Sequence, residues 1–134
     1  MAVDIQGLAP LLQVFDMPVS VAFYRDVLGF DLVGHSPFYG DGLFHWAMLK
    51  LGDAVIMLNT AYDEGERPAE PDPKRIAAHD DTGLYLGCAD VDLAYQQLLA
   101  NGISVRPPQV VPYGMKQLHL HDPDGYAICL QWTA

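Results

Sequence analysis

Basic residues are scarce in this sequence: seven Lys and Arg stand against seventeen Asp and Glu among 134 residues, for a net charge of -10. Such a surface repels nucleic-acid phosphates and anionic bilayers, so neither is expected as a partner. The acidity itself admits two explanations, attraction of a cationic ligand and ordinary solubility. Cysteine is scarcer still, with only Cys88 and Cys129, each inside an apolar strand-like run and neither in a C-x-x-C or Cys/His metal spacing. They read as free, mostly buried thiols of a reducing compartment. No apolar run approaches the roughly 20 residues that cross a bilayer. The first apolar stretch, Leu8 to Phe15, is short, contains Pro10 and follows Asp4 with no Lys or Arg before it, which argues against a secretory signal. The expected location is the cytoplasm.

Signatures of covalent catalysis are missing as well. Ser20 falls in a helical pattern, Ser36 and Ser104 lack a Gly-x-Ser-x-Gly turn, and no glycine-rich phosphate loop follows a strand. Cys129 becomes a nucleophile only if an imidazole such as His119 lowers its pKa, whereas apolar burial raises it. A packed thiol is the plainer reading.

What the chain does have is 51% hydrophobic and 18% charged residues over the length of one folded domain. Leu8 to Val14 is a strand whose alternation puts Ala9, Leu11 and Gln13 on one face and Leu12 and Val14 on the other. Asp16 is placed to cap a helix with Pro18 in its first turn and a buried stripe of Val19, Phe23 and Val27 with Ser20 and Tyr24, ending at Gly29. Phe30 to Phe38 and Leu43 to Leu51 are strand-like around Gly40-Asp41-Gly42, and Ala54 to Thr60 is a further strand. From Ala61 to Asp81 the chain is acidic and proline-rich, which predicts a linker or mobile flap.

The order of elements then starts again. Gly83 to Ala89 is a strand, Asp90 a cap, and Leu93, Ala94, Gln97 and Leu98 mark a helix that stops at Asn101-Gly102. Ile103 to Val111 is a strand broken by Pro107 and Pro108, and Pro112-Tyr113-Gly114 is a loop. Met115 to Leu120 and Ala127 to Trp132 flank Asp122-Pro123-Asp124-Gly125, where Pro123 presets φ and Gly125 accepts left-handed geometry, as a β-hairpin needs. Strand-helix-strand-strand-strand occurs twice at similar lengths, so one half of the chain repeats the other.

With those pieces in place the sequence resembles the vicinal oxygen chelate superfamily, which includes glyoxalase I, extradiol dioxygenases and the fosfomycin- and bleomycin-resistance proteins. The residues that support the resemblance are Val14-Phe15-Asp16 leading through Phe23-Tyr24 to Leu28-Gly29-Phe30, and Asp122-Pro123-Asp124-Gly125-Tyr126. The resemblance implies an α+β fold of two βαβββ modules forming a curved mixed sheet around a cleft. The expected boundaries are 8–60 for module one, 61–82 for the linker and 83–134 for module two. It also implies a homodimer, as for many members.

Metalloenzymes of that superfamily hold a divalent ion with His, Gln or Glu at four strand positions. By correspondence those positions are Ala9, Gly83 or Leu84, Met57 and Cys129. None is a hard oxygen or imidazole ligand, so no metal and no other cofactor is expected. His119 and His121 alternate on one strand and with one carboxylate could hold zinc, but no Glu lies near them in sequence. The implied cleft is lined by Gln13, Trp46, Met48, Met57, Asn59, Tyr85, Tyr113, Gln117, His119, Cys129 and Gln131. An apolar, aromatic surface with a few amides and one imidazole suits a planar or amphipathic organic molecule.

The leading expectation is therefore a metal-independent, bleomycin-resistance-like protein that binds a small cationic or aromatic compound such as an antibiotic. One rival is a glyoxalase-like lyase or isomerase, or a dioxygenase-type enzyme, with displaced metal ligands. Another is a structural module with no ligand.

Overall fold

Asp16 starts the first helix in the way its side chain suggests: its backbone is extended at φ -135° and its Oδ1 accepts from the Val19 N–H at 3.3 Å. In the computed structural model, which describes residues 1–134, the chain divides into two compact units, Met1–Glu66 and Arg67–Ala134. Each contains a four-stranded mixed sheet, and with three α-helices the fold is α+β.

In the first unit, β1 (Leu11–Val14) buries Leu12 and Val14 and leaves Leu11 exposed. Helix α1 (Met17–Ala22) runs into a π-helical turn, Phe23–Val27, in which the Leu28 N–H donates to the Phe23 carbonyl at 3.2 Å. The buried side chains here are Met17, Ser20, Val21 and Tyr24. Val19, expected in the buried stripe, is 51% exposed instead. The cap at Asp16 turns Met17 inward, and the Tyr24 ring then meets Phe30 edge-on at 5.9 Å. Gly29, at φ 90°, ends the helical run.

Strands β2 (Asp31–His35), β3 (Trp46–Leu51) and β4 (Ala54–Thr60) complete a sheet of order β1-β4-β3-β2, with β1 and β4 parallel and the other pairs antiparallel. Gly40 and Leu43 form an isolated bridge, so the Gly40-Asp41-Gly42 turn exists without joining two continuous strands. Ring stacking holds the ends of that long connection: Phe44 lies on His35 at 4.5 Å and Tyr39 on His45 at 4.1 Å. One face of the sheet buries Leu12, Val14, Ala47, Leu49, Ile56 and Leu58 and meets α1 through β4. Each fully buried Leu or Ile contributes roughly 1.5–3 kcal/mol.

The second unit repeats this plan. Strand β5 (Gly83–Gly87) leads to helix α3 (Val91–Ala100), capped by Asp90 Oδ1, which accepts from the Leu93 N–H at 2.9 Å. The buried stripe is Val91, Ala94 and Leu98, with Leu93 exposed. Of the expected strand from Ile103 to Val111, only β6 (Gln109–Val110) pairs, because Pro107 and Pro108 bring no N–H to a ladder. Strands β7 (Met115–His121) and β8 (Ala127–Thr133) form the long hairpin, in the order β5-β8-β7-β6 with β5 and β8 parallel. Leu118, Leu120, Ile128 and Leu130 are buried, and α3 packs on β7 and β8.

One expectation for the acidic, proline-rich stretch is corrected. Within it, Pro73–His79 forms α2, with Asp72 Oδ1 accepting from the Lys74 N–H at 2.9 Å and Pro73 at the first helical position. An Asp-Pro pair starts a helix as readily as it breaks one. Helix α2 packs on the hairpin turn: the His79 Nδ1–H donates to the Asp124 carbonyl at 2.7 Å, and its ring stacks on Tyr126. The turn beneath is buried at Asp122, Asp124 and Tyr126, and Asp122 Oδ1 accepts from the N–H groups of Asp124 and Tyr126, both at 2.9 Å.

Candidate functional site

Strand pairing sorts the expected site residues into rows. In the first unit Leu11, Met57 and Met48 are register partners across β1, β4 and β3, and Gln13, Asn59 and Trp46 form the next row. In the second unit Tyr85, Cys129 and His119 align across β5, β8 and β7, followed by Gly87, Gln131 and Gln117. The two sets match position for position: Met57 with Cys129, Met48 with His119, Asn59 with Gln131, Trp46 with Gln117. Side chains alternate along a strand, so both sets occupy the sheet face opposite the buried leucines.

The first unit's face is half-buried and soft. Met48, Met57, Trp46, Asn59 and Gln13 all have intermediate exposure. The Asn59 amide donates to Gln13 Oε1 at the outer limit of 3.5 Å and to the Thr60 carbonyl at 3.3 Å. Beyond the row, the His45 Nδ1 lies 3.1 Å from Thr60 Oγ1, which fixes the ring already stacked on Tyr39.

A polar network organises the second unit's face. The buried Gln117 amide donates to Tyr113 Oη at 2.8 Å and to Gln131 Oε1 at 2.9 Å, and its own carbonyl oxygen accepts from the His119 Nε2–H at 3.2 Å. That pattern puts the proton of a neutral His119 on Nε2 and leaves Nδ1 as an acceptor. Tyr113 and Tyr85 are exposed, at 69% and 58%, whereas Cys129 is buried. The Cys129 thiol sits 4.0 Å from His119 Nε2, and burial pushes its pKa up. Burial that favours the protonated thiol suits packing more than nucleophilic attack.

The metal positions implied by the superfamily do not fit an ion. Ala9 and Gly83 have no donor atom, Leu84 has none, and Met57 and Cys129 offer a thioether and a protonated thiol. The alternative pair fares no better. His119 and His121 share a face of β7, but His121 donates from Nε2 to Asp80 Oδ1 at 2.5 Å while His119 turns to Gln117. No three His, Cys, Asp or Glu side chains gather in a metal-binding arrangement.

Beside this face lies a cavity of about 630 Å³ that sequence reasoning did not anticipate. Its apolar wall is Ile103, Val105, Pro107, Val111 and Leu120, and its polar groups are Ser104, Arg106, Gln109, Gln117, His119 and His121. Two of these, Gln117 and His119, are expected site residues. Residues Ile103 to Pro107, the first part of the expected strand from Ile103 to Val111, line this pocket. The available signal was Arg106, the one basic residue between Arg75 and Lys116, set against a rigid Pro-Pro pair.

Comparison with known proteins agrees with this architecture. Residues 7–130 match the profile of the Glyoxalase/Bleomycin resistance protein/Dioxygenase superfamily. The uncharacterized protein YaeR of Escherichia coli (strain K12) is 31% identical over 113 residues, which cover 82% of each chain. Among solved structures, TnmS3, an antibiotic binding protein from Streptomyces sp. CB03234, superposes with a TM-score of 0.71 at 25% identity, covering 100% of this chain and 99% of its own. A bleomycin resistance determinant encoded on the transposon Tn5 superposes with a TM-score of 0.71 at 22% identity, over 96% of this chain and 98% of its own. At that identity the second likeness concerns the fold alone. No helix is long and apolar enough to cross a membrane.

Proposed function

The chain belongs to the Glyoxalase/Bleomycin resistance protein/Dioxygenase superfamily, and from that premise we propose that it is a metal-independent binding protein for a small organic molecule with an aromatic or planar body. The observation behind this reading is the chemistry of the open sheet faces. Where a metalloenzyme of the superfamily needs His, Gln or Glu, this chain has Ala9, Met57, Gly83 and Cys129, flanked by Trp46, Met48, Tyr85 and Tyr113. Polarisable thioethers and aromatic rings take up flat apolar surface, and amides orient it, Gln13 and Asn59 on the first unit's face and Gln131 on the second's. The antibiotic-binding role of TnmS3 supports the same class of ligand. The reading includes a cytoplasmic homodimer that sequesters its ligand and catalyses no reaction.

Thermal melts against a panel of antibiotics that includes planar aromatic compounds and bleomycin test it. A ligand at about a hundred times its dissociation constant stabilises by roughly 2.7 kcal/mol, well within the resolution of a melt. Trp46→Ala is expected to abolish the shift while leaving the unliganded melt near wild type, because Trp46 is half-buried on the face away from the core. A panel without any shift would overturn the reading. In metal-stripped protein, Mn²⁺, Ni²⁺ and Zn²⁺ are expected to leave the melt unchanged; stoichiometric stabilisation by one of them would favour a glyoxalase-like lyase.

A further inference from the structure

We propose that the second unit's cavity takes the carboxylate end of an organic anion, with Arg106 as its counter-ion. This rests on the reading of the protein as a small-molecule binder and assigns the ligand's charge, which the net charge of -10 would otherwise suggest is positive.

The charge distribution is the first argument. The chain has ten more acids than bases, yet no Asp or Glu lines this cavity, and its lining includes Arg106 and two imidazoles. Two other cations pair with carboxylates, Arg25 with Asp26 and Lys116 with Asp92. Arg106 has no hydrogen bond or ion pair within the chain, although its five N–H donors match a carboxylate in two-point geometry. The nearby acid is Asp80, and it is engaged by His121.

Donor supply is the second argument. Gln117 has spent both amide hydrogens on Tyr113 and Gln131, so it braces the wall and does not select ligand. Ser104 Oγ, the Gln109 amide and the Arg106 guanidinium remain with their donors unused at the cavity. His119 keeps Nδ1 open. Ile103, Val105, Pro107 and Val111 add apolar lining to the same cavity. About 630 Å³ is far more than an inorganic anion fills. A carboxylate on an apolar or aromatic body satisfies both halves.

The test uses the full-length protein and three probes of one shape, naphthoate, naphthamide and naphthylmethylammonium, titrated by calorimetry with backbone amide NMR shifts to locate binding. Naphthoate is expected to bind about tenfold or more tightly than either analogue, since hydrogen bonds to charged groups are the stronger ones. Its shifts should centre on Ser104, Arg106, Gln109 and His119. Arg106→Gln should remove that preference, and Arg106→Lys should restore part of it; Arg106 is exposed, so neither change threatens folding. Equal affinity for the three probes, or a naphthoate preference that survives Arg106→Gln, would overturn the proposal while leaving the binding function standing. Naphthoate shifts centred away from the cavity would overturn it as well, and failure of all three probes to bind would count against both.

Discussion

The imidazole of His79 lies flat on the ring of Tyr126, with centroids 4.1 Å apart and planes 9° from parallel. The contact ties a helix from the acidic, proline-rich stretch to the turn of the last hairpin, and the same imidazole donates to the Asp124 carbonyl at 2.7 Å. His79→Ala removes a stack and a hydrogen bond together, for an expected loss of about 1–2 kcal/mol. The second link between these segments, His121 to Asp80, is exposed on both sides at 56% and 64%. His121→Ala is therefore expected to cost at most about 1 kcal/mol. Urea denaturation of the two variants checks the ranking, and a larger loss for His121→Ala would show that α2 is held from the wrong end.

Gly125 makes the same docking sterically strict. A Cβ added there would lie 2.4 Å from the Ile76 carbonyl oxygen of α2, and the backbone φ is 85°. Gly102 has nearly the same φ, 80°, with nothing within 4 Å. The pair separates conformational cost from close approach. Gly102→Ala should cost about 1–2 kcal/mol from the left-handed backbone alone, and Gly125→Ala about 2–4 kcal/mol once the clash is added. Equal losses in chemical denaturation would mean that α2 moves aside freely.

These contacts mark where the sequence was readable and where it was not. Ala54 to Thr60 is a strand over its whole expected length, and Asp16, Asp90 and the Asp122-Pro123-Asp124-Gly125 turn do what their side chains imply, because each acts within a few residues of itself. Helix α2 was hidden because its stability comes from a partner more than forty residues on: alone, Pro73–His79 is seven residues with no buried side chain. The rows at Met57 and Cys129 followed from alternation started at the positions that the superfamily resemblance implies. The cavity did not, since a segment kept out of the ladder by Pro107 and Pro108 has no periodicity to read. Which donors are already spent was equally illegible: Gln117 and Gln131 both read as cleft-lining amides, and in the fold one Gln117 amide hydrogen goes to Gln131 Oε1.

Cys129 gives a pH test of its surroundings. The residue is 2% exposed, and burial raises the thiol's pKa above the ordinary 9.0. The folded state therefore keeps a proton that the unfolded chain releases. The sign follows from linkage: where the native state binds more protons, stability falls as pH rises. The contribution is full below about pH 9, the unfolded value, and is lost progressively above it as the pH climbs through the folded value. Cys88 is raised for the same reason and declines in parallel. Cys129→Ala should start lower in stability, by the cost of a small cavity, and decline less steeply than wild type between about pH 8.5 and 10. Urea midpoints across that range measure the difference in slope, which cancels the Tyr and Lys titrations common to both proteins. Parallel slopes would place Cys129 in contact with water and remove the reason for reading it as a packed thiol.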